Sequence, residues 1–101
     1  MPLNSPNQES IKSTKVTATN ITASPNSVIL LKANQNRKGA TIWNECPVTL
    51  YIDLTDRVAL NAFTTKLMPG SYYELPFGYT GSIAGMWEVA AEGFALIREF
   101  V

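Results

Sequence analysis

From Val28 onward the chain alternates between short apolar runs and polar breaks. Val28-Ile29-Leu30-Leu31 is apolar on both faces, as a buried strand requires. The polar stretch Ala33 to Gly39 reads as a turn. Ala40 to Asn44 follows as a second strand, with Ile42 and Trp43 on opposite faces, and Cys46-Pro47 interrupts it, because proline donates nothing to a ladder. Val48, Leu50, Ile52 and Leu54 alternate with Thr49, Tyr51 and Asp53, the period-two signature of a half-buried strand. Phe63, Thr65 and Leu67 share one face of a further strand, Phe63 to Met68. Pro69-Gly70 predicts a turn. Tyr72 to Leu75 is a short strand closed by Pro76. Ile83, Gly85, Trp87 and Val89 align on one face of the next, and Phe94 to Val101 forms the last. Arg57 to Thr64 is the one stretch with room for a turn or two of helix. Roughly seven short strands, with turn signals every 8–12 residues, predict an all-β fold. The expected form is a small antiparallel β-sandwich or barrel, jelly-roll-like.

Residues 1–27 have a different texture. They are rich in Ser, Thr, Asn, Gln and Pro, with few apolar side chains, such as Leu3, Ile11, Val16 and Ile21. Such a segment buries too little apolar surface to offset its ordering entropy alone. It reads as an extended N-terminal arm on a β domain of residues 28–101. The arm is expected to be held by its own folded part, by a second copy or by another protein. Twenty-five extended residues reach about 80–90 Å, enough to cross several subunits. Lys15 to Thr22 is the expected donor for strand addition, since Val16, Ala18 and Asn20 alternate with Thr17, Thr19 and Ile21.

The 101 residues fit one domain, and the roughly 74 behind the arm can fold alone but only marginally for their size. Eight basic side chains balance eight acidic ones. That argues against a protein whose main task is neutralising phosphates. Cys46 is the single cysteine, so no intrachain disulfide is possible, and a buried small apolar role is expected for it. No signal peptide and no apolar run of membrane-spanning length is expected. Asn20-Ile21-Thr22 matches a glycosylation sequon by chance.

Histidine is absent, which removes the commonest general base and metal ligand. Asp53 and Asp56 read as turn carboxylates capping backbone amides, not as a calcium pair. Lys32, Arg37 and Lys38 read as a solvated hairpin tip, with contact to nucleic acid or an acidic partner as the sharper alternative. Gly78, Gly81 and Gly85 suit turns and bulges, not a dinucleotide fingerprint. No catalytic residue, cofactor or metal site is expected. Tyr72, Tyr73, Phe77, Tyr79 and Trp87 crowd into sixteen residues. Core filling or a subunit interface accounts for them best, and an exposed stacking site for sugars or bases is the alternative.

The order of motifs from Asn36 to Val101 resembles a module of tailed-bacteriophage structural proteins. The residues that carry this are Arg37 to Asn44 (RKGATIWN), Leu50-Tyr51-Ile52, Leu67 to Pro76 (LMPGSYYELP) and Tyr79 to Trp87 (YTGSIAGMW). The resemblance covers about two-thirds of the chain and implies a structural role in a virion. With the arm, it implies a small capsid decoration, or cement, protein. Its implied partners are the major capsid protein and other copies of itself, with neither nucleic acid nor membrane. Its implied location is the capsid surface, after synthesis in the host cytoplasm. The alternatives are a receptor- or glycan-binding module of a head or tail fibre, and a head–tail connector or tail component. The expected partner-binding residues are Lys15, Val16, Thr17, Thr19 and Ile21 on the arm, with Tyr72, Tyr73 and Tyr79 on the domain.

Overall fold

A computed structural model of the chain describes residues 12–101. Eight strands follow in order: β1 (Val16–Thr22), β2 (Val28–Leu31), β3 (Gly39–Glu45), β4 (Leu50–Asp53), β5 (Thr65–Leu67), β6 (Tyr72–Glu74), β7 (Ile83–Trp87) and β8 (Phe94–Phe100). They form two four-stranded sheets, β1-β8-β3-β6 and β2-β7-β4-β5. Every pairing is antiparallel. Each strand pairs with the one equally far from the other end: β1 with β8, β2 with β7, β3 with β6, β4 with β5. Two further seams, β3–β8 and β4–β7, complete the sheets. This is a long antiparallel hairpin rolled into a sandwich, the topology of a jelly roll.

The core follows from the alternation. Ile42, Leu50, Ile52, Ile83, Trp87 and Ile97 are all buried between the sheets. Gly85 is needed on β7 because a Cβ there would lie 2.6 Å from Leu30 Cδ1. That glycine therefore serves a close approach, not a turn or bulge. The Pro69-Gly70 turn forms as expected, closed by Ser71 N–H donating to Met68 O at 3.0 Å. Gly70 takes the positive φ of 78° that this turn demands.

Asn44 joins the sheets through buried hydrogen bonds. Its side-chain amide on β3 donates to Val48 O at 2.9 Å and to Leu67 O at 3.0 Å. Its carbonyl accepts from Trp87 Nε1 on β7 at 3.0 Å. A second buried cluster closes the opposite end. Arg37 Nε donates to Glu99 Oε2 at 2.8 Å, and the guanidinium also donates to the carbonyls of Lys32, Tyr79 and Gly81. Arg37 is only 3% exposed, so the expected solvated tip is corrected for Arg37, while Lys32 and Lys38 are exposed as expected. The carbonyls and Glu99 compensate its desolvation.

Several other expectations change. The arm expected over 1–27 contributes a strand to the sandwich, because Val16 to Thr22 pairs with Phe94 to Phe100 of the same chain. Strand addition by Lys15 to Thr22 is thus intramolecular here, and residues 1–11 of the arm lie outside the described residues. Arg57 to Thr64 forms no helix. Ala59 and Ala62 exchange two backbone hydrogen bonds at 3.1 Å, and Val58 is buried with its N–H on Ser27 Oγ. Phe63 leaves the face of Thr65 and Leu67 and meets the Tyr51 ring edge-on, centroids 4.9 Å apart. Val89 lies past the end of β7 and is exposed. Cys46 is buried, as its apolar reading predicts.

Replacing Asn44 with Ala leaves the Trp87 N–H and the carbonyls of Val48 and Leu67 without these partners. The expected loss of unfolding free energy is about 2–4 kcal/mol, read from urea denaturation.

Candidate binding surface

The two outer faces of the sandwich differ. On the β2-β7-β4-β5 sheet, Ala84 sits opposite Ile29 and Asp53, on the face away from the core, yet it is fully buried. Val58 and Phe63, from the excursion between β4 and β5, pack on that side. The chain's own loop thus covers part of this face, while Ile29, Leu60 and Phe63 stay exposed on that side.

Among the described residues, no loop covers the outer face of the β1-β8-β3-β6 sheet. Because opposed residues of antiparallel strands share a face, the register fixes its outer rows. Tyr72, Trp43, Leu96 and Asn20 make one row across all four strands. Glu74, Thr41, Arg98 and Ala18 make the next, and Glu45, Phe94 and Thr22 flank the first on its other side. Trp43 is 40% exposed and Tyr72 56% exposed, so two aromatic rings stand as direct cross-strand neighbours in solvent. Trp43 Nε1 donates to Glu45 Oε1 at 2.6 Å, which fixes the indole against the sheet. Arg98 Nη1 donates to Ile97 O at 3.1 Å. Trp43, Tyr72, Leu96 and Arg98 border a shallow groove of about 290 Å³. The surface can take flat apolar or ring-shaped groups, with carboxylates and one guanidinium at its margin.

The residues expected to bind a partner do not converge. Val16 and Tyr72 lie on this open face, but on its opposite edge strands. Thr17, Thr19 and Ile21 point to the inner side of β1, where Thr19 and Ile21 line a second groove beside Leu30 and Leu31. Lys15 is exposed just before β1. Tyr73 faces inward, opposite Ile42, and Tyr79 packs against the core with its hydroxyl between the carbonyls of Leu54 (2.8 Å) and Ser82 (2.7 Å). Trp87 is fully buried. A stacking role is therefore corrected for Tyr73, Tyr79 and Trp87. Gly81 is part of the Tyr79 arrangement, since a Cβ there would collide with the phenol. Sequence reading missed Trp43, Leu96 and Phe94 as surface. The signal lay in the alternation, which already set Trp43 opposite Ile42.

The acidic and nucleophilic candidates occupy structural places. Asp53 accepts hydrogen bonds from the hydroxyls of Thr55 at 2.8 Å and Thr64 at 2.7 Å, so it binds hydroxyls where backbone amides were expected. Asp56 is exposed. Cys46 Sγ lies 3.8 Å from Glu92 O. Among the described residues, no three His, Cys, Asp or Glu side chains converge as metal donors.

Compared with known protein families, with curated proteins and with solved structures, the chain gives no match in any of the three.

Burial raises the Tyr73 phenol above its ordinary value of 10.0. The fold therefore favours the neutral phenol. This contribution is fully present below pH 10.0 and is lost as pH rises through the higher folded value. Tyr73→Phe should remove that part of the alkaline loss of stability, checked by urea midpoints measured across the alkaline range.

Proposed function

We propose that this chain is a structural protein of a tailed-phage virion, a capsid decoration protein that acts by binding and not by catalysis. The observation that carries the reading is the asymmetry of the sandwich. One outer face is partly covered by the chain's own loop, while on the other the described residues leave Trp43, Tyr72, Leu96 and Phe94 as neighbouring apolar side chains across the strands. An open apolar sheet face rimmed by charges suits protein–protein contact. The motif order from Asn36 to Val101 supplies the virion context by resemblance. Jelly rolls serve in viral capsids, although the fold by analogy also serves lectins. In this reading the open face meets the major capsid protein. Other copies of the chain share the capsid surface after synthesis in the host cytoplasm.

A second reading, a glycan-binding module of a head or tail fibre, has one observation in its favour. Trp43 and Tyr72 form a paired, exposed ring platform whose indole is held by Glu45. The two readings share the face and differ in what it touches.

The test uses capsid shells assembled from the major capsid protein of the same virus. The wild-type chain should co-sediment with them, and Trp43→Ser combined with Tyr72→Ser should weaken binding by at least about a hundredfold, two aromatic anchors being lost. The variant should stay folded, with a melting temperature lowered only by the lost cross-strand pair, because neither ring lies between the sheets. Shell binding unchanged by the double substitution, with selective capture of a glycan by the wild-type chain, would overturn the capsid reading in favour of the second.

A further inference from the structure

The sandwich has four edge strands, and three are protected. β2 is four residues long with a register shift between Ile29 and Leu31. β5 has three residues and carries Lys66 at its centre. β6 has three residues, ends on Glu74 and is followed by Pro76. Short length, bulges, charge and proline are the usual guards against edge pairing. β1 has none of them. It runs seven residues, VTATNIT, in unbroken register with β8, with no charge, proline or glycine.

The hydrogen-bond phase along β1 is fixed. Lys15 and Val101 exchange two backbone bonds, at 3.3 and 3.0 Å, and Ala23 N–H donates to Gly93 O at 2.9 Å. Antiparallel ladders bond alternate residues, so Thr17, Thr19 and Ile21 turn their backbone groups to β8. Val16, Ala18, Asn20 and Thr22 turn theirs outward, where no described residue pairs with them.

That edge is self-complementary. We propose that β1 pairs antiparallel with β1 of a second copy, about a two-fold axis through Thr19. In this register Val16 meets Thr22 and Ala18 meets Asn20, so every outward N–H and C=O gains a partner. Thr17 meets Ile21 on the inner side, and Thr19 meets Thr19. No charged residue faces another within the strand, so no like-charge repulsion opposes the pairing. The inner side chains of the second β1 then lie beside the groove of about 430 Å³ that Thr19, Ile21, Leu30 and Leu31 line at this side of the sandwich. The two sheets fuse into one of eight strands, and the open faces with Trp43 and Tyr72 become continuous. This inference does not depend on the capsid reading.

Sedimentation equilibrium on the full chain should show a monomer–dimer equilibrium. Ala18→Pro removes an outward N–H without touching a β8 bond, and should weaken the dimer by at least about tenfold while circular dichroism stays unchanged. If that variant misfolds, cysteine pairing carries the test. Mild oxidation of Thr19→Cys should give a reducible dimer, because the two positions face each other across the axis, while Thr17→Cys should not. A chain monomeric at all concentrations up to millimolar would overturn the proposal. So would a folded Ala18→Pro variant with unchanged dimerisation, or equal cross-linking at positions 17 and 19.

Discussion

The hydrogen bond from Trp87 Nε1 to Asn44 Oδ1, 3.0 Å long, is the constraint around which this sandwich is organised. Two sheets packed through apolar contacts alone can slide, because such contacts have no fixed direction. Asn44 removes that freedom. Its three side-chain bonds fall on Trp87, Leu67 and the approach to β4, all across the core from β3. Its own backbone bonds reach Ser71 and Gly70, at the turn that launches β6. One residue thereby sets the relation between sheets and the position of Tyr72 beside Trp43. A buried polar network of this kind specifies one arrangement only when every member is satisfied, and each side-chain donor and acceptor here has a partner.

Arg37 plays the matching part at the other end. Its guanidinium holds the end of β2, the loop before β7 and Glu99 of β8 together. β8 is the strand on which β1 is laid, so the arginine stabilises the seam that receives the N-terminal strand. Between these two clamps the core is apolar and needs no specific chemistry. Among the described residues, what the fold leaves outside is an uncovered face on one sheet and the unpaired edge of β1. We propose both as surfaces for binding. Contacts made by fixed rings lose little conformational entropy on docking.

The sequence was legible where one physical signal dominated. Alternation located the strands from β2 to β8 and the core residues Ile42, Leu50, Ile52 and Trp87, and Pro69-Gly70 named its own turn. It was illegible where tertiary context decided. The alternation of Val16 to Thr22 announced an extended donor strand but not its acceptor, which is β8 of the same chain because β8 offers a complete hydrogen-bonding edge. Arg37 sits in a polar run that looks solvated, and is buried because three carbonyls and a carboxylate from distant positions converge on it. The tyrosine cluster was misjudged for a related reason. Crowding in sequence says nothing of facing, and only Tyr72 of Tyr72, Tyr73 and Tyr79 stands on the open face, while Phe77, 98% exposed, sits on a tight turn. Trp43, far from that cluster in sequence, completes the pair.

The account places function on a surface that the molecule leaves uncovered, with its geometry fixed from within by Asn44 and Arg37. Imaging of the assembled particle, at a resolution that identifies strands, tests that claim most directly. The account predicts copies spread over the shell, with the β1-β8-β3-β6 face turned against the major capsid protein and the loop-covered sheet turned to solvent. A chain confined to a single vertex or to the tail, or one whose Trp43 and Tyr72 face open solvent in the particle, would contradict it.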